Sequence, residues 1–198
     1  MHSYHNTMVC SISVHRILPK PEGSDYLEQT DITNKLVKKA IRGNVDAYGR
    51  LFEIYKDYLY RTAFTAMKNE DAAMDAVSDC MLNGFRSIHS LKTPEYFKTW
   101  ITKILYNAIN DYYRKNTLTE PFTDFEFPAA EENVSREEQL DLYRAIDLLP
   151  EKHKNVVILK YFNDLKINEI AYVMNIPEGS VKAYLSRARE ELRNILIA

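Results

Sequence analysis

The segment INEIAYVMNIPEGSVKAYLSRAREELR, Ile167 to Arg193, confines the chain more tightly than any other. Ile167, Ile170, Ala171 and Met174 recur at helical spacing, and Val181, Leu185, Ala188, Leu192 and Ile195 do so again only seven residues later. Projected about a helix axis, the second set forms one narrow apolar stripe. Lys182, Ala183, Ser186 and Arg187 fall on the opposite side, flanked by Arg189 and Arg193. Between the runs, Asn175 is a residue type that tolerates left-handed backbone, while Pro177 and Gly179 stop one helix and start the next. Two short amphipathic helices joined this closely predict a helix-turn-helix.

Such a unit can present the N-terminal end of its second helix to the DNA major groove, with Lys182, Ser186 and Arg187 near base edges and phosphates. Free amides near Gly179 and Ser180 favour a phosphate there. The plainer alternative is a small helical bundle with a solvated basic face. The turn, the apolar stripe and the placement of small and basic residues at the N-terminal end together favour DNA. The formal net charge is −2 over 198 residues, so no global basic field operates and a nucleic-acid site must be local.

The same periodicity fills most of the chain. Asp31 opens a helical stretch with Ile32, Leu36, Val37 and Ile41 on one side, ending at Gly43. Asp46 can cap a second helix, with Tyr48, Leu51, Phe52, Tyr55, Leu59 and Phe64 as its stripe. A third helix is expected from about Asp71 to Ile88, with Met74, Val77, Met81, Leu82 and Phe85 inward. After HSLKTPEYF, broken by Pro94, a fourth runs from Phe97 to Lys115. Ser135 and Glu138 form an S-x-x-E capping box that starts a second helical unit, and Pro150 precedes the helix EKHKNVVILKYF. Ordered structure is therefore all-α: residues 31–116 and 135–198 form two small helical domains, the second containing the helix-turn-helix.

Residues 1–30 lack a clear period and read as a loose leader. Its His2, His5, Cys10 and His15 match no compact zinc spacing, and no metal or cofactor is expected. Residues 117–134 carry Pro121 and Pro128 around FTDFEF and read as an acidic flexible linker. From Thr117 to Asp141 eight acids stand against Arg136 alone. A solvated linker and an acidic strap lying in a partner's basic channel are both compatible with that run. Cys10 and Cys80 lie far apart and fit a reduced cytoplasmic protein. No Gly-rich phosphate loop, HExxH or nucleophile–base constellation is present, so an enzyme acting on a small-molecule substrate is not expected. His89 and His153 stand alone in the pattern and read as surface or packing residues.

LPEKHKNVVILKYFNDLKINEIAYVMNIPEGSVKAYLSRAREELR resembles the fourth region of bacterial RNA polymerase sigma factors of the extracytoplasmic-function group. AYGRLFEIYKDYLYRTAF, DAVSDCMLNGFRSI and YFKTWITKILYNAINDYYRK resemble the family's second region, in order and spacing. The likeness covers Asp31 to Ala198. It implies an initiation factor that binds core RNA polymerase, directs it to promoter DNA and helps to melt the minus-ten element. The family usually has an anti-sigma partner, often membrane-anchored. By resemblance, Ser78, Asp79, Leu82 and Asn83 face the polymerase, core packing being the alternative for Leu82. Lys92, Glu95, Asn107, Asn110, Asp111 and Arg114 face the minus-ten element. Gly179, Ser180, Lys182, Ala183, Tyr184, Ser186 and Arg187 face the minus-thirty-five element. Lys98, Lys103 and Lys115 can neutralise phosphates near the minus-ten site. Trp100 reads as core, and the adjacent Tyr112 and Tyr113 cannot both face inward.

The chain departs from the family at three points. Ser78-Asp79 replaces a Gln-Glu pair, Ala183-Tyr184 replaces Ser-Arg, and Asn175 replaces the glycine of the turn. The rival function is a helix-turn-helix regulator that acts without the polymerase core.

Overall fold

A computed structural model describes residues 24–115 and 136–197, and all regular structure among them is helical. Helices α1 (Ser24–Ile41), α2 (Val45–Met67), α3 (Glu70–Ser87) and α4 (Phe97–Lys115) build one compact unit. Helices α5 (Arg136–Asp147), α6 (Glu151–Val157), α7 (Ile167–Met174) and α8 (Glu178–Ile197) provide the bulk of a second. The leader histidines, Cys10, the acidic segment 117–134 and Ser135 of the capping box lie outside the described residues.

The first helix opens at Ser24, seven residues before the expected Asp31. Val37 and Ala40 are buried on α1, whereas Ile32 is exposed. Gly43, at φ 90°, turns the chain into α2 in a conformation that side chains rarely adopt. Asp46 does not cap α2. Asn44 does, its Oδ1 accepting from the Ala47 amide at 2.7 Å. Asn69 caps α3 in the same way, accepting from Ala72 at 2.9 Å.

The core of the first unit gathers Val37, Leu51, Leu59, Phe64, Phe97, Ile101 and Leu105. Full burial of each large aliphatic side chain stabilises by roughly 1.5–3 kcal/mol. Trp100 is buried and belongs to this core, as its spacing implied.

Helix α3 overturns an expectation. Of Met74, Val77, Met81, Leu82 and Phe85, only Val77 is buried. The buried face is Ala72, Ala73, Ala76, Val77, Cys80 and Gly84. Small residues let α3 approach α2 and α4 closely, and its large apolar side chains are turned outward.

In the second unit, Leu142, Ala145, Ile146, Leu149, Val157, Ala188 and Leu192 form one cluster, with Tyr161, Phe162 and Ile195 against it. Pro150 sits one position before α6. Beyond Val157 the backbone widens, and the Asn163 amide donates to the Ile158 carbonyl five residues back at 3.1 Å. The Glu169 carboxylate accepts from the Lys166 amide at 2.8 Å and starts α7. Asn175, at φ 53° and ψ 47°, ends it in the left-handed region. The Ile176 amide then closes onto the Ala171 carbonyl at 3.1 Å.

Candidate nucleic-acid and polymerase interfaces

The turn at Asn175 fixes where α8 begins. Val181, Leu185, Ala188 and Leu192 are buried on its inner face, as the projected stripe requires, and Ile195 is half-buried. Gly179, Lys182, Ala183, Ser186 and Arg187 are exposed on the other side, with Arg189 and Arg193. Arg189 is held back along the helix, its Nε donating to the Leu185 carbonyl at 3.2 Å. Ser180 differs from expectation: its amide donates to the Pro177 carbonyl at 2.9 Å and is not free. Helix geometry leaves the preceding amides, of Glu178 and Gly179, for an anion.

Tyr184 is half-buried. Its ring lies 5.5 Å from that of His153 on α6, and His153 Nδ1 meets Glu191 Oε2 at 2.9 Å. His153 therefore touches two residues of α8 that lie two turns apart, and it does not stand alone. This grouping was not readable from the sequence, because its members are 31 and 38 residues apart and follow no local period.

In the first unit the candidate polymerase contacts share α3. Ser78, Asp79, Leu82 and Asn83 are all exposed. Leu82 is 53% exposed, which removes the core-packing alternative for it. Met74, Met81 and Phe85 are exposed beside them, so the polar edge lies within an outward apolar surface that sequence reasoning had turned inward. Ser78 Oγ donates to the Met74 carbonyl at 2.9 Å, a local bond that leaves Asp79 and Asn83 as the outward polar groups.

The segment from Ile88 to Tyr96 is held rather than loose. Two short helical turns, Ile88–Ser90 and Pro94–Tyr96, flank it, and Ile88, Leu91 and Phe97 are buried anchors. Between and beyond these anchors Lys92 and Glu95 are exposed. On α4, Asn107, Asp111 and Arg114 are exposed and Asn110 is half-buried. Asp111 and Arg114 pair at 2.8 Å, so each is pre-oriented by the other. Lys98 lies over the Tyr58 ring at 5.1 Å, Lys103 is half-buried and Lys115 is exposed. Tyr113 is exposed and its hydroxyl donates to the Ala66 carbonyl at 3.0 Å, while Tyr112 is half-buried.

Cys80 is fully buried on α3, and burial pushes its thiol up to about 12. It is a packing residue. No described helix is long and apolar enough to cross a membrane.

Each helical unit matches a known family model. Residues 51–119 match the family model for Sigma-70 region 2, and residues 139–192 match that for Sigma-70, region 4. The RNA polymerase sigma factor SigV of Bacillus subtilis strain 168 is 33% identical over 141 residues, covering 70% of this chain and 84% of SigV. The ECF RNA polymerase sigma factor SigW of the same strain is 30% identical over 178 residues, covering 82% of this chain and 95% of SigW.

The chain belongs to the extracytoplasmic-function RNA polymerase sigma factors.

As such a sigma factor it is a transcription initiation factor that directs RNA polymerase to promoters, and a regulator acting without the polymerase is not favoured. Two solved complexes each contain a chain of the same fold. CnrH, in complex with the cytosolic domain of CnrY, is 22% identical with a TM-score of 0.63, covering 84% of this sigma factor and 97% of CnrH. RpoE of Bartonella quintana, in complex with the anti-sigma factor NepR, is 20% identical with a TM-score of 0.67, covering 78% and 99%.

Proposed function

We propose a division of labour between the two helical domains. The first, α1–α4, docks on core polymerase through the outer face of α3, with Ser78, Asp79, Leu82 and Asn83 at the contact. The same domain captures the nontemplate strand of the minus-ten element. Lys92 and Glu95 in the Ile88–Tyr96 segment, and Asn107, Asn110, Asp111 and Arg114 on α4, form that surface. Bases must be unstacked before such a surface can hold them, so this capture helps to open the duplex. Side-chain amides suit the task because each can donate to and accept from a base edge. The second domain reads the minus-thirty-five element in the major groove with Gly179, Ser180, Lys182, Ala183, Tyr184, Ser186 and Arg187 at the N-terminal half of α8.

The observation that carries this reading is the inverted α3. A helix that buries alanines and exposes Met74, Met81, Leu82 and Phe85 is built to be covered by another molecule. The complex of RpoE of Bartonella quintana with the anti-sigma factor NepR supports an anti-sigma factor as a further partner of this chain. The site of action on this reading is the cytoplasm, where the polymerase is, and no catalytic role is assigned.

Copurification with core polymerase, followed by run-off transcription from genomic fragments, tests the proposal. The chain should be retained by the core and confer initiation at discrete promoters. Tight, specific binding to duplex DNA by the chain alone, without retention by the core, would refute it.

A further inference from the structure

Lys35, Lys38 and Lys39 are exposed on the C-terminal half of α1, and Arg42 is exposed in the turn that follows it, its amide donating to the Lys39 carbonyl at 3.1 Å. Their spacing places them on one helical face, opposite the buried Thr33, Val37 and Ala40. No acidic side chain among the described residues pairs with any of them. Some other cations of the described surface are paired within their own helix. Lys56 pairs with Glu53, Arg114 with Asp111 and Arg144 with Asp141, each cation three residues after its acid. On α1 the cations face one another instead, and like charges at this spacing destabilise a helix. The negative end of the helix dipole offsets that only within the last turn, whereas this stripe extends over two. The chain as a whole carries a slight negative charge, so the stripe is a local concentration of positive charge.

Its location says what it meets. Helix α1 packs against both short turns, Ile88–Ser90 and Pro94–Tyr96, that flank the segment carrying Lys92 and Glu95. From Lys35 to Arg42 the stripe covers about 10 Å along the end of α1 and the turn after it. One DNA strand presents about three phosphates over that length. We propose that the outer face of α1 is a phosphate-binding stripe that holds the promoter DNA backbone alongside the minus-ten element. This rests on the reading of the first domain as the minus-ten module. The stripe contacts phosphates and not bases, so it contributes affinity and salt sensitivity without sequence preference.

The test uses the full chain assembled with core polymerase. Lys35→Gln, Lys38→Gln, Lys39→Gln and Arg42→Gln are combined, with circular dichroism to confirm unchanged helicity. Promoter binding is then measured against salt on a fragment found by run-off transcription, on the same fragment with bases mispaired across the minus-ten region, and on an unrelated duplex. The slope of log affinity against log salt should fall by about two to three, from about 0.9 for each duplex phosphate lost or about 0.7 for each single-strand phosphate. Loss on the unrelated duplex as well assigns the contact to duplex backbone. Loss confined to the promoter fragments assigns it to the opened strand. Base preference within the minus-ten element should not change. An unchanged slope on all three fragments overturns the inference, as does loss of core-polymerase binding by the variant. Asn107→Ala is measured in parallel. If it too leaves promoter opening intact, the minus-ten module itself is wrong; if it impairs opening while the slope is unchanged, only the stripe is wrong.

Discussion

The Tyr48 hydroxyl on α2 donates to the carbonyl of Met81 on α3 at 2.9 Å, beside Gly84. Burial raises the pKa of this phenol, so it stays a donor. A Cβ at Gly84 would collide with the Tyr48 hydroxyl oxygen and approach Ile101 Cδ1 to 2.9 Å. Gly84→Ala should therefore destabilise the first domain by about 1–3 kcal/mol, despite the better helix propensity of alanine. Tyr48→Phe removes the colliding oxygen. In a Tyr48→Phe background Gly84→Ala should cost much less. Urea denaturation of the four proteins gives the coupling, and strict additivity would mean that the two positions do not share this contact.

The same brace fixes the rotation of α3, which puts Asp79 outside. Asp79→Arg reverses a charge on the proposed polymerase edge without touching a buried position. It should abolish copurification with core polymerase while circular dichroism and Tm stay as in the parent. Full retention by the core would move the contact elsewhere.

On α8, Lys182→Ala and Arg187→Ala should each weaken recognition of the minus-thirty-five element by roughly 1–3 kcal/mol and leave core binding intact. Transcription from a promoter dependent on that element reports the loss. A second promoter with a degenerate minus-thirty-five element should be little affected. Parental activity of both variants on the first promoter would contradict this docking of α8.

Cys80 gives a pH prediction. Its thiol ionises near 9 when free but only at about 12 in the fold. Below pH 9 both states keep the proton and stability is unaffected. Between pH 9 and about 12 the unfolded chain releases it and the folded chain does not, so stability falls as pH rises, on the order of 1 kcal/mol per pH unit. Denaturation against pH should show this extra slope in a Cys10→Ser background, and Cys80→Ala should remove it. Equal slopes with and without the thiol would contradict its burial.

How far the sequence reaches depends on what decides each feature. The α8 stripe and the left-handed Asn175 were legible because each is local: a period read along one helix, and a residue type suited to one backbone conformation. The rotation of α3 was not. Ranking side chains by apolar size puts Met74, Met81, Leu82 and Phe85 inside, but close helix packing selected Ala72, Ala73, Ala76, Cys80 and Gly84 instead. A surface meant for a partner looks, in sequence, like a core. The cap of α2 went to Asn44 rather than Asp46 because only the observed start puts an acceptor three residues before Ala47. The Glu191–His153–Tyr184 grouping depends on the packing of α6 against α8 and has no local trace. The chemistry-bearing residues named for promoter and polymerase are for the most part exposed, with Lys98, Lys103, Asn110, Ser180 and Tyr184 partly covered.

Permanganate reactivity of minus-ten thymines on a duplex promoter tests the central claim most directly. Asn107 and Asp111 lie one helical turn apart on α4 and both are exposed, in the domain that also carries Lys92 and Glu95. The parent sigma factor with core polymerase should render those thymines reactive, and neither component should do so alone. Asn107→Ala combined with Lys92→Ala and Glu95→Ala should bind the core normally but leave the thymines protected. A template already mismatched across the minus-ten region should partly restore transcription, because unstacking is no longer required of the protein. Parental reactivity of the triple variant on duplex DNA would contradict the account and leave the first domain as an anchor on the polymerase.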